Sequence, residues 1–248
     1  MSTHSLKKVP AKAETVQSMF DIIARRYDML NRLLSLGIDR KWRKTCIKKV
    51  LEIIKGNGPV LDLATGTGDL SFILEKEKRG NIEIIAADFS IEMLKVMKMK
   101  KPSDSNIRII TADSLALPLR DSFFKAIMIG FGIRNFTNRQ DALKEIYRVL
   151  KPGGTLAILE FSLPSQRIIR ALYLFYFKKI LPLIGGIFSK RSAYSYLPAS
   201  VCNFPNPTEF KTMVTKTGFR IISLNPLTGG IATLYLAKRP IDQSEKNR

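Results

Sequence analysis

Val60-Leu-Asp-Leu-Ala-Thr-Gly-Thr-Gly-Asp69 decides how this 248-residue chain folds. Val60, Leu61 and Leu63 are apolar without long alternation, the pattern of a strand covered on both faces. Gly66 and Gly68 permit a tight turn and let the backbone approach a ligand with no Cβ in the way. A helix starting at Asp69 aims its free N–H groups at that ligand. Gly68 and Asp88 are 20 residues apart, and Asp88 ends a second apolar run, Ile82-Glu-Ile-Ile-Ala-Ala-Asp88. An acid at the tip of a second strand is where dinucleotide-type folds hold a ribose diol. Strand, turn, helix, strand and acid in this order predict an adenosine-type cofactor.

Downstream, helices are expected over 70–78 and 91–100, the second N-capped by Ser90 and stopped before Pro102. A third strand over 107–111 runs into Asp113-Ser114. An Asp there is placed to bond an adenine amino group; a turn-forming Asp is the plainer reading. A fourth apolar run, 124–130, leads into Gly130-Phe-Gly-Ile-Arg-Asn135. Ligands of a parallel sheet sit at the carboxyl ends of its strands, and a cation and an amide there suit a site better than a core. A helix over 139–150 closes at Lys151-Pro-Gly-Gly154, before a fifth strand over 155–161. After a helix over 209–217, strands 219–224 and 231–237 form a hairpin through Pro226-Leu-Thr-Gly-Gly230.

Upstream, residues 1–12 read as a loose tail. Val16, Met19, Phe20, Ile23, Tyr27, Leu30, Leu33 and Leu34 recur at helical steps, and a second helix is expected over 40–54. Phe20 and Trp42 read as core, whereas Tyr27, Asp28 and Asn31 share a face that can line a pocket. The organisation is therefore a tail and helical cap over 1–55, an α/β domain over 56–240 and a polar tail over 241–248. An apolar insertion spans about 163–206 of the domain. Within it lies Gln166-Arg-Ile-Ile-Arg-Ala-Leu-Tyr-Leu-Phe-Tyr-Phe-Lys-Lys-Ile-Leu-Pro-Leu-Ile-Gly-Gly-Ile-Phe188, apolar, aromatic and basic. It is too interrupted to span a bilayer. Interfacial helices, a lid over an apolar substrate, or core helices behind the sheet all fit it.

Hydrophobic content of 45% and charged content of 25% are globular values, but a net charge of +20 calls for an anionic partner, nucleic acid or membrane. Residues 1–55 hold 13 Lys/Arg against 5 Asp/Glu, and residues 161–208 hold six basic residues and no acid. Cys46 and Cys202 stand apart and each reads as a small buried hydrophobe, with no disulfide framework or metal spacing. The single histidine, His4, sits in the polar tail, so neither histidine base catalysis nor a metal site is expected. Without a secretory h-region or an apolar run long enough to span, the chain reads as cytoplasmic.

Five strands alternating with helices, then a hairpin, predict a doubly wound, mostly parallel sheet of seven strands. Nicotinamide and S-adenosylmethionine both fit its first half. Tyr147-x-x-x-Lys151 has the spacing of a hydride-transfer pair, but Lys151 abuts Pro152-Gly-Gly at the edge of the fifth strand away from the ligand. The terminal hairpin, the Lys-Pro-Gly-Gly turn and Asp62, Asp88 and Asp113 at successive strand ends resemble the class I S-adenosylmethionine-dependent methyltransferases. Their general glycine pattern would put a glycine at Ala64.

Tyr27-Asp-Met-Leu-Asn31, continuing through Ser35 to Trp42, resembles the first signature of the ubiquinone/menaquinone biosynthesis C-methyltransferases. Arg148-Val-Leu-Lys-Pro-Gly-Gly-Thr-Leu-Ala-Ile-Leu-Glu160-Phe-Ser162 resembles the second. Gly130-Phe-Gly-Ile-Arg-Asn135, Tyr194-Ser-Tyr-Leu-Pro198 and Leu227-Thr-Gly-Gly-Ile-Ala232 are also similar to that family, which tolerates alanine at position 64. The similarity covers residues 16–238; Leu30 stands where Met is usual and Asp39 where His is usual. It implies methyl transfer from S-adenosylmethionine to a ring carbon of demethylmenaquinol or of a polyprenyl methoxybenzoquinol. Arg134, assisted by Asn135 and Tyr27, would stabilise the phenolate or order a water that takes its proton. Thr67 and the backbone of the Gly66–Gly68 turn would hold the methionine end, Asp88 the ribose, and Asp113 with Ser114 the adenine; Asp62 and Gly130 are also expected to bind the cofactor. No metal is implied. The expected partners are a polyprenylated quinol and the anionic inner face of a membrane, not nucleic acid; a homo-oligomer is left open. The competing expectations are a nucleic-acid methyltransferase, prompted by the charge, and a non-catalytic lipid-binding subunit of a quinone-synthesis complex.

Overall fold

The computed structural model describes residues 18–176 and 199–241, with positions 19, 23, 25, 26, 36 and 56 outside the described set. The expected N-terminal tail, the second half of the apolar stretch 165–189, Tyr194–Pro198 and residues 242–248 also fall outside it.

Helices α1 (Tyr27–Leu34) and α2 (Asp39–Ile54) precede the sheet. Strand β1 (Val60–Leu63) is buried throughout and turns through the glycines into α3 (Asp69–Glu77). Then come β2 (Ile84–Asp88), α4 (Ile91–Lys100), β3 (Arg108–Thr111) and β4 (Phe124–Gly130). A 3-10 turn, Ile133–Asn135, leads to α5 (Arg139–Val149) and β5 (Leu150–Phe161). Helices α6 (Arg167–Phe175) and α7 (Pro207–Lys216) precede the hairpin β6 (Arg220–Leu227) and β7 (Ala232–Lys238).

The strands form one sheet in the order β3-β2-β1-β4-β5-β7-β6. All pairs are parallel except those of β7, which runs antiparallel to β5 and β6. The order reverses at β1, which therefore lies between β2 and β4. Ligands of such sheets bind at the carboxyl ends beside this switch point.

Each face of the sheet is covered. On one, Ile47, Val50 and Ile54 of α2, Leu74 of α3 and Met97 of α4 pack against Val60, Ala86 and Met128. On the other, Leu143 and Ile146 of α5 and Phe210 and Val214 of α7 pack against Leu61, Ile127 and Ile158. Caps fix the helix starts. The Ser90 hydroxyl accepts from the Met93 N–H at 3.1 Å. Asn206 and Glu209 form a reciprocal capping box with Pro207 in the first turn.

Three expectations change. The fifth strand begins at Leu150, not Thr155, because Lys151-Pro-Gly-Gly154 continues the strand as a bulge. Gly153 takes a φ of +75° there, and the register steps from Phe124↔Leu150 to Ala126↔Thr155. Cys46 is buried as expected, but Cys202 is exposed, on the short helical turn before α7. Phe20 is only half-buried: it packs against the core and edge-on against Tyr27, and it also lines a cleft.

Candidate active site

The turn after β1 is shaped by positive φ angles at Ala64 (+56°), Gly66 (+57°) and Gly68 (+88°). Ala64 thus occupies a left-handed position that glycine would take without strain. Its methyl group fills the space opposite Gly132, where a Cβ would come within 2.7 Å of it. Between Gly130 and Gly132, Phe131 also has a positive φ, +59°. Two strained residues therefore face each other at the tips of adjacent strands, as at sites where backbone must approach a ligand.

Two acids organise the turn. The N–H of Gly66 donates to Asp88 Oδ2 at 2.7 Å and that of Ser90 to Oδ1 at 2.8 Å. Burial pushes the Asp88 carboxyl above its ordinary value, against these backbone bonds. The carboxylate so held lines the cleft, where an acceptor can meet a diol. Asp62 Oδ2 accepts from the Thr65 hydroxyl (2.7 Å), the Ser71 hydroxyl (2.6 Å) and the Ser71 N–H (3.1 Å). Its other oxygen, Oδ1, is buried without a hydrogen bond, and burial pushes the carboxyl up to about 6.

A cleft runs along the carboxyl ends of the strands, where open α/β sheets bind their ligands. Asp113 and Ser114 line one end, Asp88 and Gly66 the middle, and Tyr27, Phe131 and Asn135 its other wall. Asp113, on the cleft wall, accepts from the Leu115 N–H at 2.9 Å through Oδ1 in an Asx turn. Sharing Tyr27, Ala64 and Gly66 with this cleft, a smaller polar chamber continues to Asp62, Thr67, Asp69, Arg43 and Gly130. A purine, a diol and a cationic amino-acid end could be laid out in that order. The buried Asp62 oxygen has no hydrogen-bond partner and could accept from an ammonium group, so these residues fit S-adenosylmethionine.

The cap closes over the turn. Tyr27 Cε1 lies 3.7 Å from where a Gly66 Cβ would be. The Ser90 hydroxyl donates to Asp21 at 2.5 Å. Asp28 accepts from the Thr67 hydroxyl and, at 2.8 Å, from Lys100 Nζ, which also reaches the Thr67 carbonyl (2.9 Å) and Asp69 (3.3 Å). The Thr67 proton is thus given to the cap, leaving the hydroxyl only its lone pairs for a ligand.

Of the expected catalytic trio, Tyr27 and Asn135 line the cleft and Arg134 lies behind it. Arg134 is buried, with Nη1 on Glu160 Oε1 (2.9 Å) and on the Phe131 carbonyl, and Nε on the Ser200 hydroxyl (3.3 Å). The Arg134 N–H donates to Glu160 Oε2 at 3.1 Å, and the guanidinium stacks 5.4 Å from the Phe161 ring centroid. Its charge still reaches Tyr27: burial raises the phenol, and the Arg134 field opposes that rise, as does a hydrogen bond with Asn31.

Three site residues went unread in the sequence. Arg43 is buried against Asp39 and 3.7 Å from Asp69; its spacing of four from Asp39 was the available signal. Glu160 sits in a quoted motif, but its partner is 26 residues away. Lys100 ends a helix that shows only ordinary amphipathic charge. The Tyr147–Lys151 spacing has no catalytic counterpart: Tyr147 packs edge-on to Phe219 under Arg239, and Lys151 is exposed.

The sheet order, the glycine turn and the acids at three successive strand ends define a class I S-adenosylmethionine-dependent methyltransferase. Solved structures agree on the fold. A methyltransferase from Methanococcus maripaludis superposes with a TM-score of 0.60 at 19% identity over 98% of both chains. One from Aquifex aeolicus gives 0.57 at 19% identity over 78% of this chain and 89% of that one. The profile of the ubiE/COQ5 methyltransferase family matches residues 8–239, and the chain belongs to that family. It is 46% identical over 235 residues to the ubiquinone/menaquinone biosynthesis C-methyltransferase UbiE of Geotalea uraniireducens, covering 94% of this chain and 99% of that protein. It is 44% identical over 224 residues to the demethylmenaquinone methyltransferase of Thermus thermophilus, covering 90% of this chain and all of that protein.

Proposed function

We propose that this chain methylates a ring carbon of a polyprenylated quinol in quinone biosynthesis, with demethylmenaquinol as the first substrate and the benzoquinol precursor of ubiquinone as the second. The observation that carries the reading is the continuous cleft from Asp113 to the lone oxygen of Asp62, walled by Tyr27, Phe131 and Asn135.

When bound, S-adenosylmethionine supplies an electrophilic methyl carbon on its sulfonium. The chain's part is alignment, because displacement at such a carbon needs geometry more than a covalent catalyst. Asp88 holds the ribose diol and Asp113 with Ser114 the adenine edge. Asp62 receives the ammonium, beside the Thr67 lone pairs and the backbone of Gly66, Gly68 and Gly130. The quinol ring lies against Phe131 and Phe136. As its hydroxyl loses a proton, electron density moves to the ring carbon, and the Tyr27 hydroxyl and Asn135 amide donate to the developing phenolate. Arg134 provides the positive field behind them; it is too basic to accept the proton itself. Water in the cleft would take that proton; once the methyl has passed to the ring carbon, leaving S-adenosylhomocysteine, that carbon gives up its hydrogen and the quinolate oxygen takes a proton back, so the aromatic quinol is restored with one proton released per turnover.

No helix among the described residues is long and apolar enough to cross a membrane. A prenylated substrate would reach the cleft from the membrane surface on the cytoplasmic side, drawn by the basic charge of the chain. Chromatography of quinones after incubation of the protein with S-adenosylmethionine and each demethylated quinol separately tests the substrate reading. A methylated naphthoquinol is the expected product. Turnover of RNA in place of either quinol would overturn it.

A further inference from the structure

The polar chamber that continues the cleft carries charges of both signs. Asp62 brings a buried oxygen that has no hydrogen bond. Arg43 of α2 lines the same chamber and is only 4% exposed. Its surroundings fix it. Asp39, one turn earlier on the helix, holds Arg43 Nη1 through Oδ2, and the Ser35 hydroxyl donates to Asp39 Oδ1 at 2.7 Å. The guanidinium carbon lies 5.1 Å from the Phe131 ring centroid. The other arm is not used in this way: Nη2 is 3.7 Å from Asp69 Oδ2, beyond hydrogen-bond reach.

Asp62 and Arg43 also act on one buried atom. Burial pushes the Cys46 thiol up to about 12; the Asp62 charge adds to the rise and Arg43 opposes it. The start of α3 reaches the chamber through Asp69 and Leu70, and its N-cap, Gly68, supplies no side chain. Free N–H groups at a helix start favour an anion. Asp69 does not close the chamber to one, because Lys100 meets its carboxylate at 3.3 Å. A buried Asp–Arg pair adds little stability over apolar side chains of the same size. Packing alone therefore gives no account of a buried guanidinium aimed, by Ser35 and Asp39, at a ligand chamber.

We propose that Arg43 receives the carboxylate of the amino-acid end of S-adenosylmethionine while Asp62 takes its ammonium, and that Ser35 and Asp39 are positioning residues that hold the guanidinium for this task. The inference rests on the cofactor reading of the cleft and deepens it; it does not depend on which quinol is methylated. An α-amino acid presents an ammonium and a carboxylate on one carbon, and the chamber offers one acceptor and one donor of matching charge. A charge-assisted pair of this kind is among the stronger hydrogen bonds a protein makes. The site therefore selects its cofactor at both charges. An adenosyl sulfonium without the carboxylate leaves a buried donor unmatched, and a site built to hydrogen-bond a group rejects the analogue that lacks it.

The test is calorimetric titration of the full chain with S-adenosylmethionine and with decarboxylated S-adenosylmethionine, which keeps the sulfonium and the ammonium. Wild type should bind the complete cofactor about ten- to a hundredfold more tightly. Asp39→Asn/Arg43→Met removes both charges of the buried pair, so neither is stranded. It should weaken S-adenosylmethionine by about the same factor and leave the decarboxylated form nearly unchanged, so that the preference disappears. Arg43→Lys keeps the charge pair and loses the fork; it should weaken S-adenosylmethionine several-fold and the decarboxylated form hardly at all. Equal wild-type affinity for the two ligands would overturn the assignment. So would an Arg43→Lys or double variant that weakens both ligands alike, the result of a merely structural role. Failure of wild type to bind S-adenosylmethionine would overturn the cofactor reading together with it. Selective binding without methylation of any quinol would instead overturn the substrate reading alone and uphold Arg43.

Discussion

At the scale of single residues, Asp62 carries the sharpest expectation. Its carboxyl is pushed up to about 6 by burial, so the cofactor-free folded protein binds a proton more tightly than the unfolded chain does. The sign follows. Below the ordinary carboxylate value both states are protonated. Between that value and about 6 only the folded state is, so the free protein gains stability as pH falls through about 6. An ammonium needs the carboxylate, so cofactor affinity should fall over the same window. Calorimetric titration across pH should show S-adenosylmethionine binding weaken below about pH 6. Asp62→Asn should weaken it about ten- to a hundredfold at neutral pH and reduce that pH dependence, leaving what Asp88 contributes. A variant with wild-type affinity would remove Asp62 from the site. Ala64→Gly relieves a left-handed alanine, worth about 1–2 kcal/mol, against a glycine entropy cost of about 0.5–1. Denaturant unfolding should show a small gain; a clear loss would contradict the strain reading. Glu160→Ala strands the buried Arg134 charge and should cost about 3–5 kcal/mol.

At the scale of elements, side-chain hydrogen bonds tie α1 to the turn after β1. Lys100 links Asp28 of α1 to the Thr67 carbonyl and Asp69, but these groups are partly exposed, so the link adds about 1 kcal/mol or less. Lys100→Met should leave global unfolding nearly unchanged, speed amide exchange in residues 27–34, and weaken cofactor binding by several-fold. Exchange unchanged in that helix would show that the cap is held elsewhere. The strand–turn–helix unit was legible because its signals are local: apolar runs, glycines, and caps such as Ser90. The start of β5 was not. A Pro-Gly-Gly run reads as a turn, and pairing on both sides keeps it extended, Leu150 with Phe124 and Gly153 and Gly154 with Arg239. Phe20 reads as core by helical spacing alone, since spacing identifies a face and not what covers it.

At the scale of the molecule, the acids at three strand ends were readable before any coordinates, because a parallel sheet sends those ends to one edge. The Arg134–Glu160 pair was not readable. It joins two motifs across the β4–β5 boundary, and it places the guanidinium behind the cleft, where the sequence expectation set it at the substrate. Arg134→Met removes the field but leaves the Tyr27 and Asn135 contacts, so it should depress turnover more than cofactor affinity; paired with Glu160→Met, it avoids stranding a buried charge. Full activity in that double variant would exclude an electrostatic role.

The whole account turns on a ring carbon made nucleophilic by a quinol hydroxyl that ionises, which an oxidised quinone lacks. Label transfer from methyl-labelled S-adenosylmethionine should therefore be measured with demethylmenaquinone in one vesicle preparation, once reduced and once oxidised. Product from the reduced form alone is expected. Equal labelling of the oxidised form, or none of either while the cofactor binds, would contradict it.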